Sequence, residues 1–334
     1  MKNRFLHYAP LCIAKNFTLV IAAFFITTNA LADQAIQLDP AVKGYIKVSG
    51  VSGNVNSIGS DTLNNLMTFW AEGFRKQYPN VKIQIEGKGS STAPPALIEG
   101  TAQLGPMSRA MKNTETDAFE RKFKYKPTAF PVAIDALAVY VNKDNPVKGL
   151  TMAQVDAIFS KSRRWGHKEK IQFWKQVGLD EDQSNNPISI YGRNSASGTY
   201  GFFKEHALKN GDYKNEVKEQ PGSASVVQSV SEDQAGIGYS GIGYLTSNVR
   251  AVPLAEKDGM PFKEATQQNA DDGSYPLWRH LYLYINKAPN KPLDPIVEQF
   301  IKFIYSKEGQ QVVIKDGFFP LNAGTIEKEL KKLD

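Results

Sequence analysis

Apolar residues recur at three- and four-residue spacing through Leu63, Leu66, Met67, Trp70 and Phe74, which predicts a helix that Pro79 ends. Val81, Ile83 and Ile85 then alternate with Lys82, Gln84 and Glu86, the pattern of a strand with one wetter face. A glycine loop follows over 87–92, and Pro94-Pro95 admit a short helix start. Ala102 to Leu104 predict a brief strand closed by Gly105-Pro106, and 113–124 a charged surface helix. The run from Val132 to Val141 is apolar and long enough to cross between two lobes, and Leu281 to Ile285 mirrors it. Between them, Thr151 and Gln154 form a capping box ahead of the buried positions Val155, Ile158 and Phe159. Ile188, Ile190 and Tyr191 predict a strand that delivers Arg193, and a helix continues over Tyr200 to Leu208. A short helix over Ser223 to Val230, a strand over Ile237 to Tyr239, a helix opened by Pro295 and a last helix before Gly317 complete the chain. Residues 33–56 predict loose structure. Strands alternate with helices throughout, so the class is α/β.

The first residues change the picture of where this chain works. Lys2, Arg4 and Lys15 precede a mostly apolar run over Phe17 to Ile26, too short to span a bilayer. Ala30-Leu31-Ala32 then fits small-x-small cleavage, so residues 1–32 are expected to be a signal peptide and the mature chain to start at Asp33. Removing 32 of 334 residues leaves 302, more than one core usually holds, and two lobes are expected. Cys12, the single cysteine, leaves with the leader and lacks a lipobox, so no disulfide, thiol nucleophile or cysteine metal site is expected.

Charge excludes more than it suggests. The chain has 40 Lys and Arg against 34 Asp and Glu, and its net +6 falls to +3 once the leader's three basic residues are gone. The basic residues are dispersed among acidic ones, with the densest patch at Lys161-Ser162-Arg163-Arg164. Nucleic-acid binding would need a basic stripe with interleaved aromatics, and none is present. A mild positive field gathers anions.

The candidate chemistry lies in three polar loops, Gly59-Ser60-Asp61-Thr62, Gly89-Ser90-Ser91-Thr92 and Arg193-Asn194-Ser195-Ala196-Ser197-Gly198-Thr199. Each follows a predicted strand, and at least two open a helix. Free backbone N–H groups at helix starts attract anions. Three such loops and one arginine make a cage for a compact, oxygen-rich anion. Each residue also has a plainer reading. Ser60 and Thr62 could cap the helix, Ser90 and Ser91 could form a turn, and Arg109 could pair with a surface acid. Asp61 is open between an N-cap and a proton acceptor. Gly236-Ile237-Gly238-Tyr239-Ser240-Gly241 matches a dinucleotide fingerprint in letters, but it spans the predicted strand itself and no helix follows. His167, His206 and His280 lack metal-ligand spacing, and no nucleophile elbow surrounds Ser197 or Ser240. No cofactor, metal or catalytic residue is therefore expected.

At these loops the sequence resembles the periplasmic phosphate-binding proteins of ABC importers, over nearly the whole mature chain. That family opens its first helix with a glycine, a small residue and Thr or Ser, as in Gly59-Ser60-Asp61-Thr62-Leu63. Its Gly-Ser-Ser loop matches Gly89-Ser90-Ser91, and its arginine followed after three residues by Ser-Gly-Thr matches Arg193 and Ser197-Gly198-Thr199. Two positions depart. Ser108, followed by Arg109, takes the slot of a turn aspartate that accepts the phosphate proton in many members. Ser195 replaces the aspartate that often sits beside the family's arginine.

The resemblance implies a type II two-lobed periplasmic binding protein, each lobe a sheet flanked by helices, with two crossing segments as hinge. Lobe I takes 33–132 and 283–334, and lobe II takes 133–282. It implies phosphate bound by Ser60, Asp61, Thr62, Leu63, Ser90, Ser91, Ser108, Arg109, Arg193, Ser197, Gly198 and Thr199. It also implies a monomer that delivers its ligand to a membrane permease, in the periplasm or displayed at the cell surface or secreted. The competing expectations are another tetrahedral oxyanion such as sulfate, which Ser108 keeps open, and a secreted phosphatase.

Overall fold

A computed structural model describes Met1, residues 35–179 and residues 187–334. The leader expected over 1–32 lies outside the described residues apart from Met1. Contacts separate Met1–Ala35 from Ile36–Asp334, and every element named below belongs to the second unit. None of the described helices is long and apolar enough to cross a membrane.

Strand β1 (Gly53–Ile58) pairs in parallel with β2 (Val81–Glu86), Val55 opposite Ile83. The loose reading of 33–56 therefore misses a strand. Its sequence, Gly-Asn-Val-Asn-Ser-Ile, carries two asparagines and one glycine, residues that strands disfavour. Burial of Val55 and Ser57 overrides that preference. Between the strands, helix α1 (Asn64–Gln77) buries Leu66, Met67, Trp70 and Phe74, as the spacing requires. Helix α2 (Ala93–Glu99) follows β2, with prolines in its first turn.

The predicted strand over Ala102–Leu104 shifts. Leu104 makes a single bridge to Ser57, and the strand itself, β3, is Gly105–Met107. Pro106 is tolerated because β3 ends the main sheet's strand order and ladders only with β11 (Trp278–Ile285). Helix α3 (Asn113–Phe123) closes this side.

The fold turns on β4 (Thr128–Asn142), buried continuously from Val132 onward. Its first part, Thr128 to Ala136, pairs antiparallel with β11. Its second part, Leu137 to Val141, pairs antiparallel with β8 (Gly236–Gly241). The seven-stranded sheet thus runs β3-β11-β4-β8-β6-β7, with β6 (Ser189–Arg193), β7 (Lys218–Gln220) and β9 (Val249–Ala251), which pairs with β4. A strand buried on both faces reads as a continuous apolar run, which is why 132–141 stood out in the sequence. The mirror run over 281–285 sits inside the β3-side half of the sheet. The chain meets the change of partner earlier, where Leu137 N–H donates to Leu277 O at 2.9 Å and Trp278 faces Ala136.

A two-strand pair joins β5 (Leu150–Thr151) to β10 (Leu254–Ala255) beside helix α4 (Met152–Phe159), whose Thr151–Gln154 capping box forms as predicted. Helices α5 (Gly198–His206) and α6 (Ser223–Glu232) pack on β6 and β8, and a short α7 (Gln267–Asp271) packs on β4. Helices α8 (Pro295–Ile304) and α9 (Lys307–Lys315) cover α1. The helix expected before Gly317 is α9, but it is not the last, since α10 (Ala323–Leu330), capped by Asn322, follows it.

Candidate functional site

Five buried hydroxyls converge from four loops. Ser60 follows β1 and caps the 3-10 turn Asp61–Leu63 that opens α1, accepting from the Thr62 N–H at 3.2 Å. Its own proton goes to Ser108 Oγ at 3.0 Å. Ser90, after β2, accepts the Ser108 N–H at 3.0 Å and meets Ser108 Oγ at 3.3 Å. Thr62 Oγ1 and Thr199 Oγ1 stand 3.0 Å apart, and Thr199 reaches Ser108 Oγ at 3.5 Å. Ser197 caps α5 by accepting the Thr199 and Tyr200 N–H groups.

Two glycines allow this approach. A Cβ on Gly198 would lie 2.2 Å from Ser90 Oγ and 2.7 Å from Ser108 Oγ. Gly89 holds φ of +120° and faces Ala196 O at 2.5 Å from where its Cβ would be. There the second loop locks onto the third, with Ser91 N–H donating to Ala196 O at 3.1 Å.

Arg193 ends β6 beneath this cluster and is 2% exposed. Its backbone N–H donates to Tyr239 Oη at 3.2 Å, and Phe203 stacks on that tyrosine with ring centroids 3.9 Å apart. The guanidinium donates from Nη1 to Ser223 Oγ at 2.7 Å and from Nη2 to Pro221 O at 3.3 Å. Its buried Nε has no partner among the described residues. Burial pushes the Arg193 pKa below the usual arginine value, and Asp61 opposes that push.

Of the two roles open to Asp61 in the sequence, the cap belongs to Ser60. The Asp61 carboxylate instead reaches across to Arg193 Nη1 at 3.2 Å and accepts the Ser223 N–H at 2.8 Å. Ser223 is the first residue of α6, so the carboxylate also sits at the positive end of a helix. Asp61 thus supplies the counter-charge that Ser195 cannot. Tyr244 Oη ties this turn down by donating to Asp61 O and Thr62 O at 3.1 and 3.2 Å.

Arg109 pairs with an acid, as its plainer reading allows, but it is buried rather than on the surface. Its fork is closed by Glu115, at 2.8 Å from Nη1 and 2.7 Å from Nη2, and it touches Ser91 Oγ only at 3.4 Å. It lines a groove of about 870 Å³ that opens beside the hydroxyls, with Ser197, Tyr200, Trp278 and His280.

The sequence reading missed a second buried arginine. Arg279 donates from Nε to Asp135 Oδ2 at 2.9 Å, from Nη1 to Ser108 O at 2.8 Å and from Nη2 to Thr199 Oγ1 at 3.1 Å. A charged residue inside the run from Val132 to Val141, Asp135, was the available signal, since buried charges require partners. Ser223 and Tyr244 were likewise unmarked. Among the described residues no cluster of His, Cys, Asp and Glu could hold a metal ion.

The sequence and fold are shared with known proteins. The PBP superfamily domain matches residues 47–308. The phosphate-binding protein PstS of Pseudomonas aeruginosa is 60% identical over 316 residues, 94% of this chain and 98% of that one. The chain belongs to the phosphate-binding protein family. A phosphate ABC transporter substrate-binding protein of Clostridium perfringens, solved with bound phosphate, is similar at TM-score 0.68 and 29% identity, covering 81% of this chain and 100% of that one. An ABC-type phosphate transport receptor of Vibrio cholerae shares the fold at TM-score 0.61 and 24% identity, over 80% of this chain and 100% of that one. The α/β fold is thus that of the two-lobed phosphate-binding proteins. The family's loops, read from sequence at Ser60–Leu63, Ser90, Ser108 and Arg193–Thr199, come together here around one point, while Arg109 and Ser91 lie at its edge.

Proposed function

We propose that this protein captures inorganic phosphate among Ser60, Thr62, Ser90, Ser108, Arg193, Ser197, Gly198 and Thr199, and delivers it to the membrane permease of an ABC importer. Leu63 adds its backbone N–H at the start of α1. The observation that carries this reading is the convergence of five buried hydroxyls beside a buried arginine with unused donor capacity. Hydroxyl and N–H donors suit a tetrahedral anion. A micromolar ligand needs about 8 kcal/mol, and hydrogen bonds to a charged group net about 1.5–3 kcal/mol each. A handful of such bonds suffices after ordering costs.

The lobes divide where β4 changes partner, between Ala136 and Leu137, and the return crossing lies at 277–278. Closure brings the Ser60 and Ser90 loops onto the Ser197 loop. The working place is the periplasm, reached by a leader cleaved after Ala32, and the protein acts as a monomer. Ser108 in the aspartate slot makes sulfate the competing ligand. Calorimetric titration with phosphate and with sulfate at neutral pH tests the reading. Phosphate binding well ahead of sulfate is expected, and no phosphate binding, or a preference for sulfate, overturns it.

A further inference from the structure

Arg279 stands on β11 directly across from Asp135 on β4, next to the place where β4 changes partner. Both are buried. Asp135 Oδ2 takes two of the guanidinium donors, at 2.9 Å from Nε and 2.7 Å from Nη2, while Oδ1 accepts the Ile242 N–H at 2.9 Å. The Phe202 ring lies 5.3 Å from the guanidinium carbon. The remaining donors reach the two sides of the site, Ser108 O at 2.8 Å and Thr199 Oγ1 at 3.1 Å.

A guanidinium only donates, and a threonine hydroxyl has one proton. The lone pair that Thr199 turns to Arg279 is therefore used, and its proton must point elsewhere. The atoms available on its other side are Thr62 Oγ1 and Ser108 Oγ. We propose that Arg279 is a positioning residue for anion capture, acting from behind the hydroxyl cluster: it turns the Thr199 proton away from itself toward the ligand side and holds the turn that presents Ser108. This rests on the phosphate reading above. Asp135 in turn fixes Arg279, so the buried pair sets the polarity of the site without touching the ligand.

The test is a double-mutant cycle on phosphate affinity, read by calorimetry, with Arg279→Lys, Thr199→Val and both together in the full mature chain. Arg279→Lys keeps a cation opposite Asp135 but cannot reproduce the planar fork that serves three partners. Each single variant is expected to bind phosphate on the order of tenfold more weakly, and the Arg279→Lys effect to shrink to about threefold or less in the Thr199→Val background. Multiplicative losses, or full affinity in folded Arg279→Lys, overturn the proposal, because an arginine that acts through the Thr199 hydroxyl has little left to lose once that hydroxyl is gone. If Arg279→Lys does not fold, Asp135→Asn takes its place in the cycle. It keeps the shape and an acceptor for Ile242 while loosening the guanidinium, and the same outcomes decide. A wild-type chain that binds no phosphate would refute the functional reading instead.

Discussion

Replacing Arg193 by methionine should separate ligand capture from folding. The side chain is 2% exposed, and its Nε finds no partner among the described residues, so the folded chain already carries an incompletely satisfied cation. Replacing a buried ion pair by apolar groups is often neutral for stability, and removing one member is costly chiefly where the other is left buried and unpaired. The counter-ion of Arg193 is not stranded. Asp61 keeps the Ser223 N–H at 2.8 Å, and its side chain is 25% exposed to water. The free variant should therefore melt close to wild type. Binding is different, because truncating a buried, hydrogen-bonded charge at a binding site costs about 2–5 kcal/mol. Taking about 3 kcal/mol, the dissociation constant rises roughly 100-fold. At phosphate about 100 times the wild-type dissociation constant, wild type gains about 2.7 kcal/mol and the variant only about 0.4 kcal/mol. For a chain of this size that is a rise in melting temperature on the order of 5 °C against about 1 °C. Scanning calorimetry with and without phosphate reads both. A variant that keeps the full phosphate-dependent rise refutes the site, and one that loses several degrees without phosphate makes Arg193 a structural group.

Three further outcomes follow from the same geometry. Asp61→Asn keeps an acceptor for Ser223 but removes the negative charge that a fully ionised anion must face, so sulfate affinity should rise relative to phosphate on the order of tenfold. An unchanged ratio of the two dissociation constants would leave Asp61 as a counter-ion alone. Gly198→Ala places a methyl 2.2 Å from Ser90 Oγ and should weaken phosphate binding at least about fivefold, by roughly 1–3 kcal/mol of overpacking, which titration would detect. Burial raises the Asp316 carboxyl to about 7, and one of its oxygens, Oδ2, has no partner among the described residues. The unfolded chain ionises this group first, so its contribution to stability is full in acid and is lost as pH rises from 3.8 toward about 7. Asp316→Asn should therefore stabilise the protein above pH 7 and not below its unfolded value, as urea unfolding at two pH values would show.

The legible parts of this fold are those where one residue type carries one physical meaning. Leu66, Trp70 and Phe74 at helical spacing could only be a buried helix face, and the Thr151–Gln154 box only a helix start. The run through Val132 to Val141 was legible as an apolar crossing, and the structure makes it a strand buried on both faces. β1 was hidden because its asparagines and glycine say turn, while its pairing with β2 is a tertiary fact. The hydroxyl loops were legible because Gly59, Gly89 and Gly198 punctuate them. Arg279 was not, since it follows Trp278 in an ordinary strand with no loop signal. Its meaning comes from Asp135, 144 residues away. Arg109 shows the reverse case, a residue well placed in sequence whose fork Glu115 already fills.

These pairings also fix what kind of attraction the site exerts. Arg193 faces Asp61, Arg279 faces Asp135 and Arg109 faces Glu115, so each nearby cation is matched by a carboxylate. Net charge at the cluster is close to balanced, and the excess of +6 is spread over the whole chain. What remains is directional: hydroxyls that now bond one another and can turn to a ligand, helix-start N–H groups and the Arg193 Nε. Such donors are strong only when water is excluded and they are already oriented. Asp61 lies after β1 while Arg193 and Ser223 lie around β6 and α6, so this ion pair joins two sides of the site, with Ser223 Oγ and Pro221 O holding the guanidinium from its own side. Arg279 bridges the same two sides through Ser108 and Thr199. If the proposed lobes close over the anion, these cross-side contacts close with them, and a variant that weakens Asp61–Arg193 should weaken capture in calorimetric titration even where every ligand-facing group is intact.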